Sequence, residues 1–190
     1  MEIEITDVLF SKSIETLGST FLQPKFPSRL TTFDQQELRA PEVIEKSFLG
    51  CPEYFLAIIQ CLSTQRDSIA GSKPLGSTAA QTYLKDTTAL LESIRKFDCY
   101  AWAGNLQQSR NSSSQETTNL RALAESYKLG ALLYGRRILD AITGEFTVQD
   151  EILAELLGMI NSLKDDRAMF KCILWPIFVA GLESQWPEQR

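Results

Sequence analysis

The sequence predicts an all-α fold in which about six helices pack as an antiparallel bundle or an orthogonal helical array. Three observations predict this class. Apolar residues recur at spacings of three and four along most of the chain, and no segment shows a sustained alternation of apolar and polar residues. The glycines are isolated, and most of them stand where an apolar helical pattern stops, as helix-ending residues do.

The chain is predicted to divide into an N-terminal segment, residues 1–33, and a helical domain, residues 34–190. The segment is expected to be mostly irregular with a possible short helix, because Gly18, Pro24 and Pro27 interrupt it. Over the whole chain the hydrophobic content is 44%, which is enough to build a core.

The first half of the helical domain is predicted to contain a helical segment over residues 34–50 that Pro41 interrupts, then two long helices and a polar loop. Pro52 opens the first helix, at a position where its missing N–H costs nothing, and Gly71 ends it. Residues 78–102 form the second, an amphipathic helix that Gly104 ends. Residues 105–119 are rich in Gln and Ser and are predicted to be a polar loop.

The helical pattern returns at Leu120 and continues to Gly144. Its apolar stripe is wide, so this helix should be mostly buried. The next helix is predicted over residues 148–163, with Thr147 as its candidate N-cap. A turn at residues 165–166 follows.

The last predicted helix, residues 168–184, is apolar almost all round, which is typical of a central core helix. Pro176 lies inside it and should kink it by removing one backbone hydrogen bond. Gly181 either permits close approach of a neighbouring helix or marks a further distortion. The residues by themselves predict a kinked core helix and no more.

The charge of the chain argues against direct nucleic-acid contact. Its formal net charge is −5 and its pI is about 4.9, so it does not attract phosphate backbones. Its longest apolar run, residues 172–182, is too short to span a bilayer. We therefore expect neither direct nucleic-acid contact nor membrane insertion from this chain.

Residue types that carry catalysis or bind metals are scarce. Histidine is absent, and neither a Gly-rich phosphate loop nor a Gly-x-Ser-x-Gly motif is present. The four cysteines lack the short spacing of a structural zinc site. They are expected to be buried, reduced thiols: Cys51, Cys61, Cys99 and Cys172. We predict that the chain is not an enzyme and has no catalytic, metal-binding or cofactor-binding residues, and we expect no cofactor.

Residues 174–183, Leu-Trp-Pro-Ile-Phe-Val-Ala-Gly-Leu-Glu, resemble the most characteristic block of the fungal-specific transcription factor domain. This domain is the helical regulatory region of fungal zinc binuclear cluster transcription factors. The residues that carry the likeness are Trp175, Pro176, Phe178, Gly181 and Glu183. Leu182 stands where the family often has cysteine.

Three further stretches resemble the family in the same order along the chain. They are the Gly-Cys-Pro stretch with Cys51 and Pro52, the helix with Tyr134, Arg136 and Arg137, and residues 148–163. The resemblance covers residues 49–190. It implies that these motif residues are structural, and no catalytic or ligand-binding role is carried over to them.

The resemblance also implies a transcription-regulatory domain that senses an effector or dimerises, acts in the nucleus and controls a metabolic or secondary-metabolite gene cluster. Its candidate partners are a second copy of the chain, other transcriptional proteins and a small-molecule effector. The chain lacks the cysteine-rich zinc cluster of the family. DNA recognition is therefore expected to lie elsewhere, and the chain to be a fragment, a short gene product or a diverged relative.

Two alternatives stay open. The chain could be a helical adaptor that binds another protein through an exposed groove and has no direct role in transcription. An enzyme acting through carboxylates and tyrosines would need a deep pocket, and the sequence shows no cluster of such residues.

Overall fold

Most of the described part of the chain is helical. The computed structural model describes residues 51–71, 77–110 and 113–184, which contain seven helices and no strand. In chain order these are α1 (Glu53–Gly71), α2 (Ser77–Lys96), α3 (Cys99–Arg110), α4 (Ser114–Thr143), α5 (Asp150–Leu163), α6 (Arg167–Cys172) and α7 (Leu174–Ser184). The predicted all-α class is confirmed, and none of these helices is long and apolar enough to cross a membrane. The segments predicted over residues 1–33 and 34–50 lie outside the described residues.

The long helix α4 is the centre of the fold, since it packs against each of the other six described helices. It begins before Leu120, the predicted start, because Ser113 caps it. The Ser113 hydroxyl accepts a hydrogen bond from the Glu116 N–H at 3.2 Å. The helix ends as predicted at Gly144, which has a φ of 74° and donates its N–H to the Asp140 carbonyl at 2.8 Å.

Two glycines inside α4 let neighbouring helices approach its backbone. A Cβ on Gly135 would lie 2.7 Å from Cδ2 of Leu91 on α2, closer than carbon atoms pack without a shift. Gly130 makes a similar contact with α7. The expectation that most glycines end helices is therefore wrong for the described residues, where only Gly71 and Gly144 do so.

The predicted single helix over residues 78–102 is two helices, α2 and α3, separated by a short break. The Asp98 carboxylate accepts a hydrogen bond from the Ala101 N–H at 2.9 Å, an N-cap arrangement that competes with continuation of the helix. The Lys128 ammonium of α4 donates to the Phe97 carbonyl at 2.9 Å. This carbonyl at the end of α2 is thus satisfied from outside its own helix.

The polar loop predicted over residues 105–119 is wrong in most of its length. α3 continues through Gly104 into this range, and α4 occupies its second part. Apolar packing explains the difference. Leu106 is 6% exposed and forms a small core cluster with Ala103 and Leu120.

The turn between α4 and α5 differs from the predicted helix cap. α5 begins later than predicted, after Gln149, which makes no side-chain capping bond. Thr147, the predicted cap, instead donates its hydroxyl hydrogen to Asp140 Oδ1 at 2.8 Å. The predicted turn at residues 165–166 is confirmed, and Asp166 caps α6 by accepting from two backbone N–H groups.

The helix predicted over residues 168–184 is also two helices, α6 and α7, which meet at the fully buried Ile173. Pro176 lies in the first turn of α7, where a missing N–H removes no bond within that helix. The predicted kink is therefore replaced by a break. The expectation of a helix buried all round is wrong as well, because Phe170 is 44% and Leu174 is 60% exposed.

Candidate functional site

Trp175, the centre of the predicted family motif, packs against two tyrosines of α4. Its indole stacks on the Tyr127 ring with 5.7 Å between centroids and 15° between planes. It meets the Tyr134 ring edge-on at 6.3 Å and 87°. Tyr134 is buried, and its hydroxyl donates to Ser63 Oγ of α1 at 3.2 Å. Aromatic contacts thus anchor α7 on α4, and Tyr134 also connects α4 to α1.

Gly130 is what lets Trp175 approach α4 so closely. A Cβ at this position would lie 2.8 Å from Cζ3 of Trp175. The indole packs against a core cluster that includes Leu133 of α4 and Leu156 of α5. Gly130 is not among the site residues predicted from the sequence. Its signal is a glycine within an otherwise continuous helical pattern, which often marks close packing.

The hydroxyl of Tyr127 replaces a hydrogen bond that Pro176 cannot make. In a continuous helix the N–H of residue 176 would donate to the carbonyl of Cys172, but proline has no N–H. Tyr127 donates to that carbonyl instead, with 2.8 Å between the two oxygen atoms. Burial raises the pKa of Tyr127 well above its ordinary value of 10.0, so the hydroxyl keeps its proton.

Cys51, next to Pro52 at the start of α1, reaches the same tyrosine. Both side chains are buried, and the Cys51 thiol is in hydrogen-bond contact with the Tyr127 hydroxyl. The Pro52 carbonyl accepts a hydrogen bond from the Phe55 N–H at 3.0 Å, which forms the first turn of α1. Cys51, the long helix α4 and Trp175 of α7 therefore meet at Tyr127.

Arg137 forms a second connection between α4 and α7. Its Nε donates to both Glu183 carboxylate oxygens at 2.9 and 3.1 Å, and its Nη2 donates to Oε2 at 2.6 Å. Its Nη1 donates to Asp140 Oδ2 at 2.6 Å and to the Thr147 carbonyl at 2.9 Å. The guanidinium carbon lies 4.3 Å from the centroid of the Phe146 ring. One side chain thus joins α4, α7 and the turn before α5.

This ion-pair network is largely shielded from solvent. The side chains of Glu183 and Asp140 are 7% and 10% exposed, and that of Arg137 is 20% exposed. Burial by itself would lower the pKa of Arg137, but hydrogen bonds and negative charges from Glu183 and Asp140 outweigh burial and raise it. Arg136 lies beside the network and donates from Nε to Thr147 Oγ1 at 3.2 Å.

Phe178 and Gly181 lie outside this packed region. Phe178 is 36% exposed, and Gly181 is exposed, with no atom within 4 Å of a Cβ built on it. α7 continues through Gly181, so the close approach or distortion expected at this glycine is not found. Gly181, two residues before Glu183, lies on the opposite side of α7 from it, whereas Phe178, three residues after Trp175, borders the side that carries Trp175.

The thiols differ in burial. None of the four cysteines forms a disulfide bond; Cys51 and Cys99 are buried, whereas Cys61 and Cys172 are half-buried. Burial, with the nearby charge of Glu125, raises the pKa of the Cys99 thiol to about 12. Within the described ranges no group of three His, Cys, Asp or Glu side chains is placed to hold a metal ion. The buried thiol of Cys99 and the hydroxyl of Tyr127 stay protonated near neutral pH, which suits packing rather than proton transfer.

A surface cleft of about 410 Å³ opens between α4 and α5. It is lined by the apolar side chains of Leu129 and Met159 and by the charged side chains of Arg121, Glu125 and Glu155. Thr118, Ala122 and Ser162 complete the lining, so polar and charged residues outnumber apolar ones.

A family model described as "Fungal specific transcription factor domain" matches residues 9–190. The chain belongs to this family. The match includes every motif residue predicted from the sequence, and it begins earlier than the resemblance over residues 49–190. Comparison with curated proteins and with solved structures finds no significant match.

As a fungal-specific transcription factor domain, the chain belongs to a class of transcriptional regulators and not to a class of enzymes. The region around Tyr127 and Arg137 is where this domain's sequence blocks pack together. Its chemistry is structural, because the buried aromatic rings, the Cys172 carbonyl and the ion pairs hold α1 and α7 on α4.

Proposed function

We propose that this chain is the transcription-regulatory domain of a fungal zinc-cluster-type transcription factor. It acts in the nucleus on a metabolic or secondary-metabolite gene cluster, and a zinc cluster outside these residues supplies DNA recognition. The observation that carries the proposal is the family match over residues 9–190. The packing around Tyr127 supports it, since Trp175 and Tyr134, two of the residues that carry the family likeness, form aromatic contacts there.

The proposed partners are proteins rather than nucleic acid. A net charge of −5 disfavours contact with a phosphate backbone, whereas it permits contact with a second copy of the chain or with other transcriptional proteins. The domain is proposed to have no catalytic activity and to need no cofactor.

A small-molecule effector is proposed to bind the cleft between α4 and α5. The cleft has the volume of a small-ligand site, and one of its walls is α4, which contacts every other described helix. A bound effector raises the unfolding temperature of the chain. Met159→Arg, which fills the cleft, should abolish that rise, and a rise that persists in the variant places the effector elsewhere.

The direct test of the proposed function tethers the chain to a reporter gene. The chain is fused to an unrelated DNA-binding domain in a fungal cell, and reporter output is compared with that of the DNA-binding domain alone. We expect the output to change and a fluorescently tagged chain to accumulate in the nucleus. Leu133→Asp places a charge at a fully buried position of α4 and should abolish the effect by unfolding the domain.

An unchanged reporter output from the folded chain would refute the proposal. Recovery of a cytoplasmic partner without a transcriptional role, in the same cells, would favour the helical adaptor.

A further inference from the structure

The exposed side of α6 combines large apolar and basic side chains. Phe170 is 44% and Leu174 is 60% exposed, and Arg167 and Lys171 are exposed beside them. Spacings of three and one put Arg167, Phe170 and Lys171 on one side of α6, and Leu174 follows beyond the break at Ile173 as the first residue of α7. We call this surface the α6 face. The opposite side is inward, because Ile173 is fully buried at the junction with α7.

The basic residues of this region have no ion-pair partners among the described residues. Lys164 in the preceding turn, Arg167 and Lys171 take part in none of the salt bridges found there. Asp166 lies close in sequence, but its carboxylate caps α6 and accepts a hydrogen bond from the Asn119 amide at 2.9 Å. The α6 face and the turn before it thus carry three cations, Lys164, Arg167 and Lys171, against two carboxylates, Asp165 and Asp166, on a chain whose net charge is −5.

We propose that the α6 face docks an acidic peptide segment of a partner protein, in which carboxylates alternate with large apolar side chains. The carboxylates pair with Arg167 and Lys171, and the apolar side chains cover Phe170 and Leu174. Cations without ion-pair partners, next to exposed apolar side chains, match such a segment in both charge and hydrophobicity. The proposal deepens the proposed regulatory function, on which it rests for the class of partner.

Charge and size favour a peptide over other anionic partners. A nucleic acid offers many phosphates and would be repelled by the rest of an acidic chain. A membrane surface is bound by long amphipathic helices with a continuous apolar face, whereas α6 has 6 residues. The α6 face presents two large apolar side chains, which suits a short motif with a few anchor residues.

The test measures binding of a fluorescent synthetic peptide, with Asp and Glu alternating with Leu and Phe, to the full chain by fluorescence anisotropy. Two control peptides replace the acids by their amides or the apolar residues by alanine. We expect the first peptide alone to bind, with a Kd that rises with salt concentration.

Charge reversal locates the site. The double variant Arg167→Glu with Lys171→Glu should raise the Kd at least about tenfold, because both ion pairs become repulsive. The matched control, Lys85→Glu with Lys96→Glu, makes the same change in net charge at exposed positions of α2 and should alter the Kd less than about twofold. Leu174→Gln should also weaken binding, whereas Val148→Gln at another exposed apolar position should not.

Three results would overturn the proposal. The first is an equal loss of affinity in both charge-reversed variants, which would mean a non-specific charge effect. The second is tight binding of the amide peptide. The third is binding to phosphatidylserine vesicles through Arg167 and Lys171 without binding to the peptide. A tethered chain that still changes reporter output while no peptide binds would end the docking proposal and leave the regulatory function standing.

Discussion

At the scale of single residues, Tyr127 combines an apolar and a polar contact in one side chain. Its ring stacks on Trp175, and its hydroxyl donates to the Cys172 carbonyl that Pro176 leaves without a helical donor. A buried carbonyl without a donor is costly, so the proline and the tyrosine depend on each other.

This dependence predicts a coupling between the two positions. Tyr127→Phe should lower the free energy of unfolding by about 1–3 kcal/mol, because the carbonyl loses its donor while the ring stays. In a chain that carries Pro176→Ala, the new N–H can donate to the same carbonyl. Tyr127→Phe should then lower the free energy of unfolding by less than it does in the original chain. Urea unfolding of the four proteins measures the coupling, and an equal cost in both backgrounds would contradict this reading of the proline.

Gly130 and Gly158 provide a matched pair of helical glycines. Gly130→Ala should destabilise the fold, because overpacking against the indole costs about 1–3 kcal/mol and exceeds the gain in helix propensity. Gly158→Ala on α5 meets no atom within 4 Å and should stabilise the fold by about 0.5–1 kcal/mol. Thermal unfolding checks the opposite signs; two stabilising substitutions would show that Trp175 is not held against α4.

The sequence predicted which residues mark the candidate site but not how they act. Trp175 and Arg137 stand in recognisable motifs, and their positions in the packed region follow from the apolar pattern around them. The roles of Gly130 and Thr147 were not predictable, because each depends on which part of another element lies opposite. Such pairings are set by tertiary packing and leave no local pattern.

At the scale of elements, the Arg137–Glu183 pair fixes α7 on α4. Removing Glu183 leaves the largely buried Arg137 with Asp140 as its remaining ion-pair partner among the described residues, and breaking a buried ionic network costs more than the pair is worth as a whole. The exposed pair of Arg95 and Glu92 on α2 offers a comparison, since its side chains are 46% and 54% exposed.

Glu183→Gln should therefore lower the free energy of unfolding by about 3 kcal/mol, whereas Glu92→Gln should lower it by less than about 1 kcal/mol. Urea unfolding followed by circular dichroism measures both variants. Equal effects of the two substitutions would show that the Arg137 network is no more than a surface ion pair.

Apolar periodicity predicted the helices but not their breaks. α1 and the end of α4 follow from patterns bounded by Pro52, Gly71 and Gly144. The break before α3 depends on Asp98, and an aspartate suits an exposed helix position as well as a cap. The predicted polar loop failed because its few apolar residues, such as Leu106, pack in a core cluster and outweigh the polar composition around them.

At the scale of the whole molecule, every other described helix packs on α4. A group that cannot ionise in the folded chain therefore affects the free energy of unfolding of the whole fold. The Cys99 thiol is one such group. Its pKa is raised from 9.0 to about 12, so the folded chain holds the thiol proton at pH values where the unfolded chain releases it.

Its stabilising contribution is complete below pH 9.0 and is lost as the pH rises towards about 12. We expect the free energy of unfolding to fall over this range and to fall less steeply in Cys99→Ala. Urea unfolding at a series of pH values measures both slopes. The expectation fails if the two slopes are equal.

The central claim is that Trp175 of the family's characteristic block anchors this domain on α4, and urea unfolding of Trp175→Ala tests it most directly. We expect a loss of about 3–5 kcal/mol in the free energy of unfolding, because a large ring is removed from a packed site. Phe170→Ala, at a position 44% exposed, should cost less than about 1 kcal/mol and is the control. An unfolding transition in Trp175→Ala unchanged from that of the original chain would contradict the account.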